Sequence, residues 1–319
     1  MQQEIRLATF NVRNLSLPGT ICYPDLPPCT AAEYEAKIAW IGGLIDRFLP
    51  DIIAFEEIFS AQAVADIMAC SRQLRNATPV FTEVPFRPSK PVPEVAFVTR
   101  LPLAGTPKTH SHFPENFRIS LPGTDTLLDR FSRPVLEIPV LLPNGRILNL
   151  YAIHFKSRRP DPVPGTGLAD PLQHGLAMFR SLSRRAADAV GVHTLIARFR
   201  QKTGTPVILL GDFNDTAKAV TTGIATGAHH ESEQPLPSMY RLHNTLDVQS
   251  PHASIQENTR YIRGMDTGYI DHIFVSDEFT ELAGFSAGRV TDILYRMPDD
   301  ADRPDRSDHP FVMTTIALS

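Results

Sequence analysis

The stretch Pro206-Val207-Ile208-Leu209-Leu210-Gly211-Asp212-Phe213-Asn214-Asp215 constrains this chain more than any other. Its run of branched apolar residues, Val207 and Ile208 β-branched, predicts a short strand buried on both faces. Gly211 then breaks the run, and a carboxylate, an aromatic ring and a carboxamide follow at once. Alternation along an extended chain sets Asp212 and Asn214 on one side and Phe213 on the other. Such an ending brings an acid and an amide together at the rim of a sheet. The same residues also suit an Asx turn that merely closes a strand, so the stretch takes its meaning from the rest of the chain.

Read in order, other apolar runs end the same way. Ile5 to Phe10 alternates as a strand and stops at Asn11. Residues 15–32 are a Pro/Cys-rich insertion. From Ala31 the residues Ile38, Ile41, Ile45 and Phe48 recur at helical spacing, and Pro50 ends that helix. The run Asp51 to Phe55 reads as a buried strand ending in Glu56-Glu57. Alternation points that pair to opposite faces, so one of the two shares a site with Asp212. Residues 60–75 read as helical, with Cys70 as a core residue. The Pro-rich stretch 85–93 is a loop and Val95 to Val98 a strand. Arg133-Pro134 opens a strand from Val135 to Leu142, and Asn144-Gly145 turns it into a second, Arg146 to Ile153. That one ends in His154-Phe155-Lys156-Ser157-Arg158-Arg159, a histidine followed by cations. Residues 160–172 form a rim loop, and Leu176 to Arg200 a long helix. Its core contacts are read as Leu182, Ala186, Val190 and Ile196, with Arg180, Arg184 and Arg185 as a solvated face. Residues 216–260 lack periodicity, and His229-His230 sits there in a polar loop. Asp271 is embedded in the strand Tyr269 to Val275, and Asp308-His309 precedes the last strand, Phe311 to Ile316.

Composition narrows the class. A chain of 319 residues with 42% hydrophobic and 21% charged residues makes a globular protein with a sizeable core. The net charge of −4 argues against adhesion to nucleic acid by bulk positive charge and leaves room for a local basic groove. No apolar run is long enough for a membrane span. The N-terminus lacks the basic-then-apolar form of a signal peptide, so the compartment stays open between cytoplasm and, after removal of a signal, secretion. Cys22 and Cys29 share one loop and are either reduced thiols or a disulfide. No Cys/His spacing suggests zinc. Strands and helices alternate without a visible repeat, as one domain over 1–319 with insertions at about 15–32 and 158–175.

Strand ends gathered at one edge would unite Asn11, Glu57, His154, Asp212, Asn214, Asp271, Asp308 and His309. Carboxylates and carboxamides are hard oxygen donors that favour Mg²⁺ or Mn²⁺, and histidines beside cations suit phosphoester chemistry. The ordered series Thr-Phe-Asn-Val (9–12), Asp-Ile-Ile-Ala-Phe-Glu-Glu-Ile (51–58), His-Phe-Lys-Ser (154–157), Gly-Asp-Phe-Asn-Asp (211–215), Tyr-Ile-Asp-His-Ile-Phe-Val-Ser (269–276) and Ser-Asp-His-Pro (307–310) resembles the endonuclease/exonuclease/phosphatase superfamily. Deoxyribonuclease I and the abasic-site endonucleases belong to it, and the resemblance spans residues 5–317.

That resemblance implies a four-layer α/β sandwich, two β-sheets packed face to face with helices outside. It implies that Glu57 binds the metal, with Asn11 and Asp308 near it, and that Asp212 orients or deprotonates the attacking water. Asn214 would hold a phosphate oxygen or the nucleophile. His309, fixed by Asp271, would hydrogen-bond the scissile phosphate, and His154 would protonate the leaving oxygen. Arg133 resembles a phosphate-contacting arginine, and Lys156 and Arg158 would track a phosphate backbone. The chain departs from the family in carrying Glu56 where a glutamine is usual, and His154 has no evident acidic partner. The expected activity is a metal-dependent nuclease on DNA or RNA. The alternatives are a phosphatase or phosphodiesterase on a small molecule or lipid headgroup, and a catalytically silent binding module.

Overall fold

The computed structural model describes residues 3–82, 92–228, 236–248, 268–280 and 286–319. In chain order the first elements are β1 (Glu4–Leu15), α1 (Ala31–Phe48), β2 (Ile52–Ile58), α2 (Ala61–Cys70), β3 (Thr78–Phe81), β4 (Glu94–Thr99) and β5 (Lys108–His112). There follow β6 (Ile119–Ser120), β7 (Leu127–Leu128), β8 (Arg130–Leu141), β9 (Ile147–His154), α3 (Pro171–Thr203) and β10 (Val207–Asp212). The last are α4 (Val220–Thr226), β11 (Leu242–Asn244), α5 (Thr245–Val248), β12 (Asp271–Ser276), β13 (Gly288–Arg296) and β14 (Phe311–Leu318).

These strands build two six-stranded sheets, ordered β13-β14-β1-β2-β4-β3 and β11-β12-β10-β9-β8-β5, with β6-β7 a separate hairpin. Each sheet has one parallel pair at its centre, β1 with β2 and β9 with β10. A parallel pair needs a crossover, which α1 and α3 supply. The strands on the other side of β1 and β10, β14 and β12, run antiparallel to them. They therefore begin at the edge where the parallel strands end. That shared edge collects the polar strand ends, as ligand crevices at the carboxyl ends of parallel strands generally do.

Burial along the strands follows from covering each sheet on both sides. Leu7, Ala54, Leu150, Leu210 and Ile316 fill the space between the sheets. Phe10, Phe55, Ile41 and Ile67 seal the outer face of the first sheet under α1 and α2, and Tyr151, Phe213, Val192 and Ile196 seal the second under α3. Phe10 meets Trp40 and Phe311 edge-on at 5.7 Å, and burying each such ring contributes roughly 2–3 kcal/mol. The layers are helix, sheet, sheet, helix, the α/β sandwich expected from the motifs.

The helix ends have local causes. Thr30 caps α1 by accepting from the Glu33 N–H, Glu33 answers with its own side chain, and Leu49 closes the helix in a left-handed conformation. Asp170 caps α3, with Pro171 in its first turn and Gly204 at its end. This cap starts α3 five residues before the periodicity at Leu176 becomes visible, inside what reads as a rim loop.

Several sequence readings are corrected. Cys70, read as a core residue, is exposed at the end of α2; of the two readings left open for Cys22 and Cys29, the structure has the free thiols. In α3 Leu182 faces solvent while Arg180, Arg185 and Asp188 are buried, because their polar groups find partners inside. Arg133 lies within β8, which starts at Arg130, and Asp271 is the first residue of β12. Short elements α4, β11 and α5 occupy part of the stretch that shows no periodicity. Most of the Pro-rich loop 85–93, and all of His229-His230, fall outside the described residues.

Candidate active site

Regular pairing supplies half of the site. Across β9, β10 and β12 the residues His154, Asp212 and Asp271 are direct register partners, His154 opposite Asp212 and Asp212 opposite Asp271. All have the parity of the residues that fill the space between the sheets, so the three side chains stand in one row facing the other sheet. Gly211 does not break the strand. It stays in β10 with φ 139°, and a Cβ there would lie 2.0 Å from the Ile153 carbonyl oxygen. Its absent side chain allows the close approach of β9 that sets Asp212 beside His154.

Asn214 reaches the same side by a turn rather than by alternation. Its φ is 52°, and its N–H donates to Asp212 Oδ1 at 2.7 Å. The Asx turn and the paired acid and amide are thus one structure. Asn214 Nδ2 donates to the Phe155 carbonyl at 3.0 Å and to Asp212 Oδ2 at 3.2 Å. With its amide hydrogens engaged, Asn214 holds Asp212 in place and keeps only its carbonyl oxygen for another partner.

The first sheet contributes by irregularity. Alternation turns Glu56, like Thr9, Asn11 and Ala54, toward the second sheet and would turn Glu57 outward. Glu57 instead has φ 62°, where the register of β2 against β4 shifts. This bends its carboxylate back to the site, where Oε1 lies 4.0 Å from His154 Nε2. Both acids therefore share the site, against the expectation that only one does. Opposite them β1 bulges at Arg13 and Asn14, both with positive φ, and the Asn14 N–H donates to Glu57 Oε2 at 2.8 Å. Asn11 donates from Nδ2 to Asp212 Oδ2 at 3.0 Å and accepts the Arg13 N–H at 2.9 Å, joining the two sheets.

His309 stands at the start of β14 with Nδ1 against both oxygens of Asp271, at 3.1 and 2.9 Å. Burial opposes its protonation, but the Asp271 carboxylate outweighs burial and raises its pKa well above the usual imidazole value. The ring is a cation whose Nε2 takes no part in that contact. Asp212 is 1% exposed; burial, then the Asp271 charge, push it up to about 7. Burial is what overrides the full ionisation usual of an aspartate at neutral pH. His154 moves the other way: burial, with Arg133 and His309 adding to it, depresses its pKa well below the ordinary value. Its Nε2 is 3.4 Å from Asp212 Oδ2, so the fold gives it the acidic partners that the sequence does not reveal. Facing two carboxylates, that nitrogen carries the proton of a neutral ring.

Glu56 is fully buried and accepts the Thr9 hydroxyl at 2.6 Å. Burial above all, then Asp271 and Asp212, raise its pKa well above the carboxylate range. A protonated Glu56 is a neutral donor and acceptor, the physical equivalent of the glutamine usual in this place. Asp308 is half-exposed, with Arg13 Nε 3.8 Å away. The ligand atoms of Asp212, Asp271 and His309 lie within 4.8 Å of one another, but His309 is already tied to Asp271. The residues that fit a divalent cation are Glu57 and Asn11, with Asp308 at the rim. They are oxygen donors, and they sit beside crowded carboxylates whose mutual repulsion a cation relieves.

The basic residues turn inward. Arg133 Nη1 donates to the Phe155 carbonyl at 2.8 Å, and Lys156 Nζ to the carbonyls of Ser157 and Arg159 at 3.3 Å. Burial brings the Lys156 pKa down to about 8. Arg158 binds Asp215 Oδ1 at 2.7 Å and the Asn214 carbonyl at 3.0 Å, which braces the turn carrying Asn214. From α3, Arg185 Nε donates to Asp215 Oδ2 at 3.1 Å. Asp188 accepts the N–H groups of Ser132 at 2.8 Å and Lys156 at 3.2 Å. Asp188, Arg185, Asp215 and Glu56 are the residues whose part at this edge sequence reasoning does not assign. The one sequence signal for the first two is that they lie three apart on a helix, on one face.

A model of the Endonuclease/Exonuclease/phosphatase family matches residues 8–309. Among solved structures, an endonuclease/exonuclease/phosphatase from Bacteroides vulgatus is similar over 100% of both chains, with 14% identity and a TM-score of 0.59. The human Nocturnin catalytic domain with bound sulfate matches over 100% of this chain and 96% of its own, at 15% identity and TM-score 0.57. A Bacteroides thetaiotaomicron mannosyl-6-phosphatase matches over 99% of both, at 13% identity and TM-score 0.56. At such identities these likenesses concern the fold alone. No curated protein matches the sequence. The family match covers the whole span from Ala8 in β1 to His309 before β14, and this chain belongs to the endonuclease/exonuclease/phosphatase family of phosphoester hydrolases, which use a divalent metal.

Proposed function

We propose that the protein is a Mg²⁺- or Mn²⁺-dependent nuclease that hydrolyses phosphodiester bonds in DNA, RNA or both. The observation that carries this reading is the pairing of a near-neutral carboxyl, Asp212, with a cationic imidazole, His309, across the same edge. Hydrolysis needs a base for water and a cation for the phosphoryl oxygens, and two titratable groups pushed apart in charge provide both. Asp212, steadied by Asn11, Asn214 and His154, takes the proton of the attacking water. His309, held by Asp271, donates from Nε2 to a non-bridging oxygen of the scissile phosphate. Glu57, Asn11 and Asp308 would hold the divalent cation, which neutralises charge on the phosphoryl and leaving oxygens when bound. Arg133 lies beside this edge as a further phosphate contact.

A second reading, hydrolysis of a small phosphoester, draws support from the inward engagement of Lys156 and Arg158, which limits a track for an extended backbone. The test is turnover of the purified protein with Mg²⁺ or Mn²⁺ on plasmid, single-stranded DNA, RNA and small phosphodiesters. Cleavage of nucleic acid is expected. Cleavage of the small esters alone would transfer the proposal to the second reading, and turnover of none with any metal would leave a binding module.

A further inference from the structure

We propose that the cavity between segment 16–30 and α1 is a second anion subsite, which takes a phosphate carried by the substrate beside the scissile ester, with Lys37 Nζ as its main donor. The cavity has a volume of about 270 Å³, and Leu15, Leu26, Pro27 and Pro28 give it apolar walls. Lys37, on α1, lines it and is 7% exposed. An ammonium at that depth needs acceptors. Among the described residues it donates one hydrogen bond, to the Arg13 carbonyl, and its remaining hydrogens have no acceptor but what enters the cavity.

Glu33 and Tyr34, which line the cavity, make their hydrogen bonds elsewhere. Glu33 turns its carboxylate to the Thr30 N–H and hydroxyl, both at 2.8 Å. Tyr34 donates its hydroxyl to Asp66 at 2.6 Å. A second cation, Arg13, stands in the lining with its side chain 35% exposed. A buried cation within apolar walls attracts an anion strongly and gives a neutral analogue little. The cavity also adjoins the reaction edge, since Asn14 lines it and is the residue whose N–H holds Glu57. An anion at Lys37 therefore sits across the Arg13-Asn14 turn from the metal-binding carboxylate. The substrate class is a phosphoester with a second phosphate, supplied either by a neighbouring nucleotide or by a small bisphosphate. The phosphoester reading is needed only for how that phosphate arrives, not for its capture.

Two measurements test this. Inorganic phosphate is titrated calorimetrically into the metal-free full chain and soaked into its crystals. Phosphate within hydrogen-bond reach of Lys37 Nζ is expected, with affinity about tenfold weaker in Lys37→Met and largely kept in Lys37→Arg. Phosphate bound only at His309, or unaffected by Lys37→Met, overturns the subsite. Next, kcat/KM is compared for a nitrophenyl phosphodiester with and without a second phosphate, in nucleotide and small-ester form. The preference for the second phosphate is expected to fall about tenfold in Lys37→Met, and the form that loses more identifies the source. An equal loss on both substrates would mean that Lys37 only steadies the turn through the Arg13 carbonyl, and the subsite is refuted. If Lys37→Met does not fold, Leu26→Asp, which sets a fixed anion in the walls, is expected to give the same loss. Failure of the wild type to turn over either ester would sink the phosphoester reading alone, while the phosphate titration still decides the subsite.

Discussion

The two sheets meet at one edge but build it by different means. In the second sheet His154, Asp212 and Asp271 are aligned by ordinary strand register, each the cross-strand partner of the next. In the first, Asn11 still follows strand alternation, but Glu57 is placed by a positive φ opposite the bulge at Arg13-Asn14. Register is inherited from the whole ladder and resists local change. A bulge depends on a few hydrogen bonds, such as Asn14 N–H to Glu57, and it re-aims a side chain that alternation would send to the wrong face. The rigid row carries the proposed base, Asp212, and the bend at Glu57 carries a candidate metal donor.

The comparison is most sharply broken by Gly211→Ala. Its Cβ would collide with Ile153 O, part β9 from β10 and destabilise the fold by about 3 kcal/mol or more, seen as loss of folded protein or a large drop in melting temperature. Next, Asp212→Asn keeps the shape of the row and removes its base, so kcat should fall by about 10³-fold. In the wild type kcat should rise as pH climbs and Asp212 loses its proton, at or below about 7 once a cation relieves the neighbouring charge, and this limb should vanish in the variant. The same substitution has a stability signature without metal. Folded Asp212 keeps its proton above the unfolded carboxylate value, so its contribution to stability is present in acid and drains away as pH rises to about 7. Asp212→Asn should therefore gain melting temperature over the wild type increasingly across that window.

Smaller effects probe the first sheet. Glu57→Gln should weaken activation by Mg²⁺ or Mn²⁺ by about 10–100-fold in a metal titration, with little change in folding. Glu56→Gln replaces one neutral group by another and should alter kcat by less than about threefold, while Glu56→Ala, which leaves the Thr9 hydroxyl without its acceptor, costs more. A large loss in Glu56→Gln would show that Glu56 works as a carboxylate and that the two sheets contribute charge alike.

The amino-acid order by itself determined the apolar runs, the polar residue at the end of each, and the helical periodicity of α1. From these the layered α/β class and most of the gathered edge were legible, because strand alternation and helix spacing are local properties of the chain. Only the tertiary structure decided that both glutamates face the site, since Glu57 is re-aimed by a positive φ where β2 shifts register against β4, opposite the bulge of β1. It also decided the charge states: Asp212 near 7, a cationic His309, a neutral His154 and a protonated Glu56 follow from burial and from neighbours distant in the chain. The polar face of α3 reads as solvated for the same reason, because Arg185 and Asp188 find Asp215 and the Ser132 N–H only once the helix lies on the second sheet. Partners far apart in sequence leave no local pattern, and desolvation belongs to the packed whole.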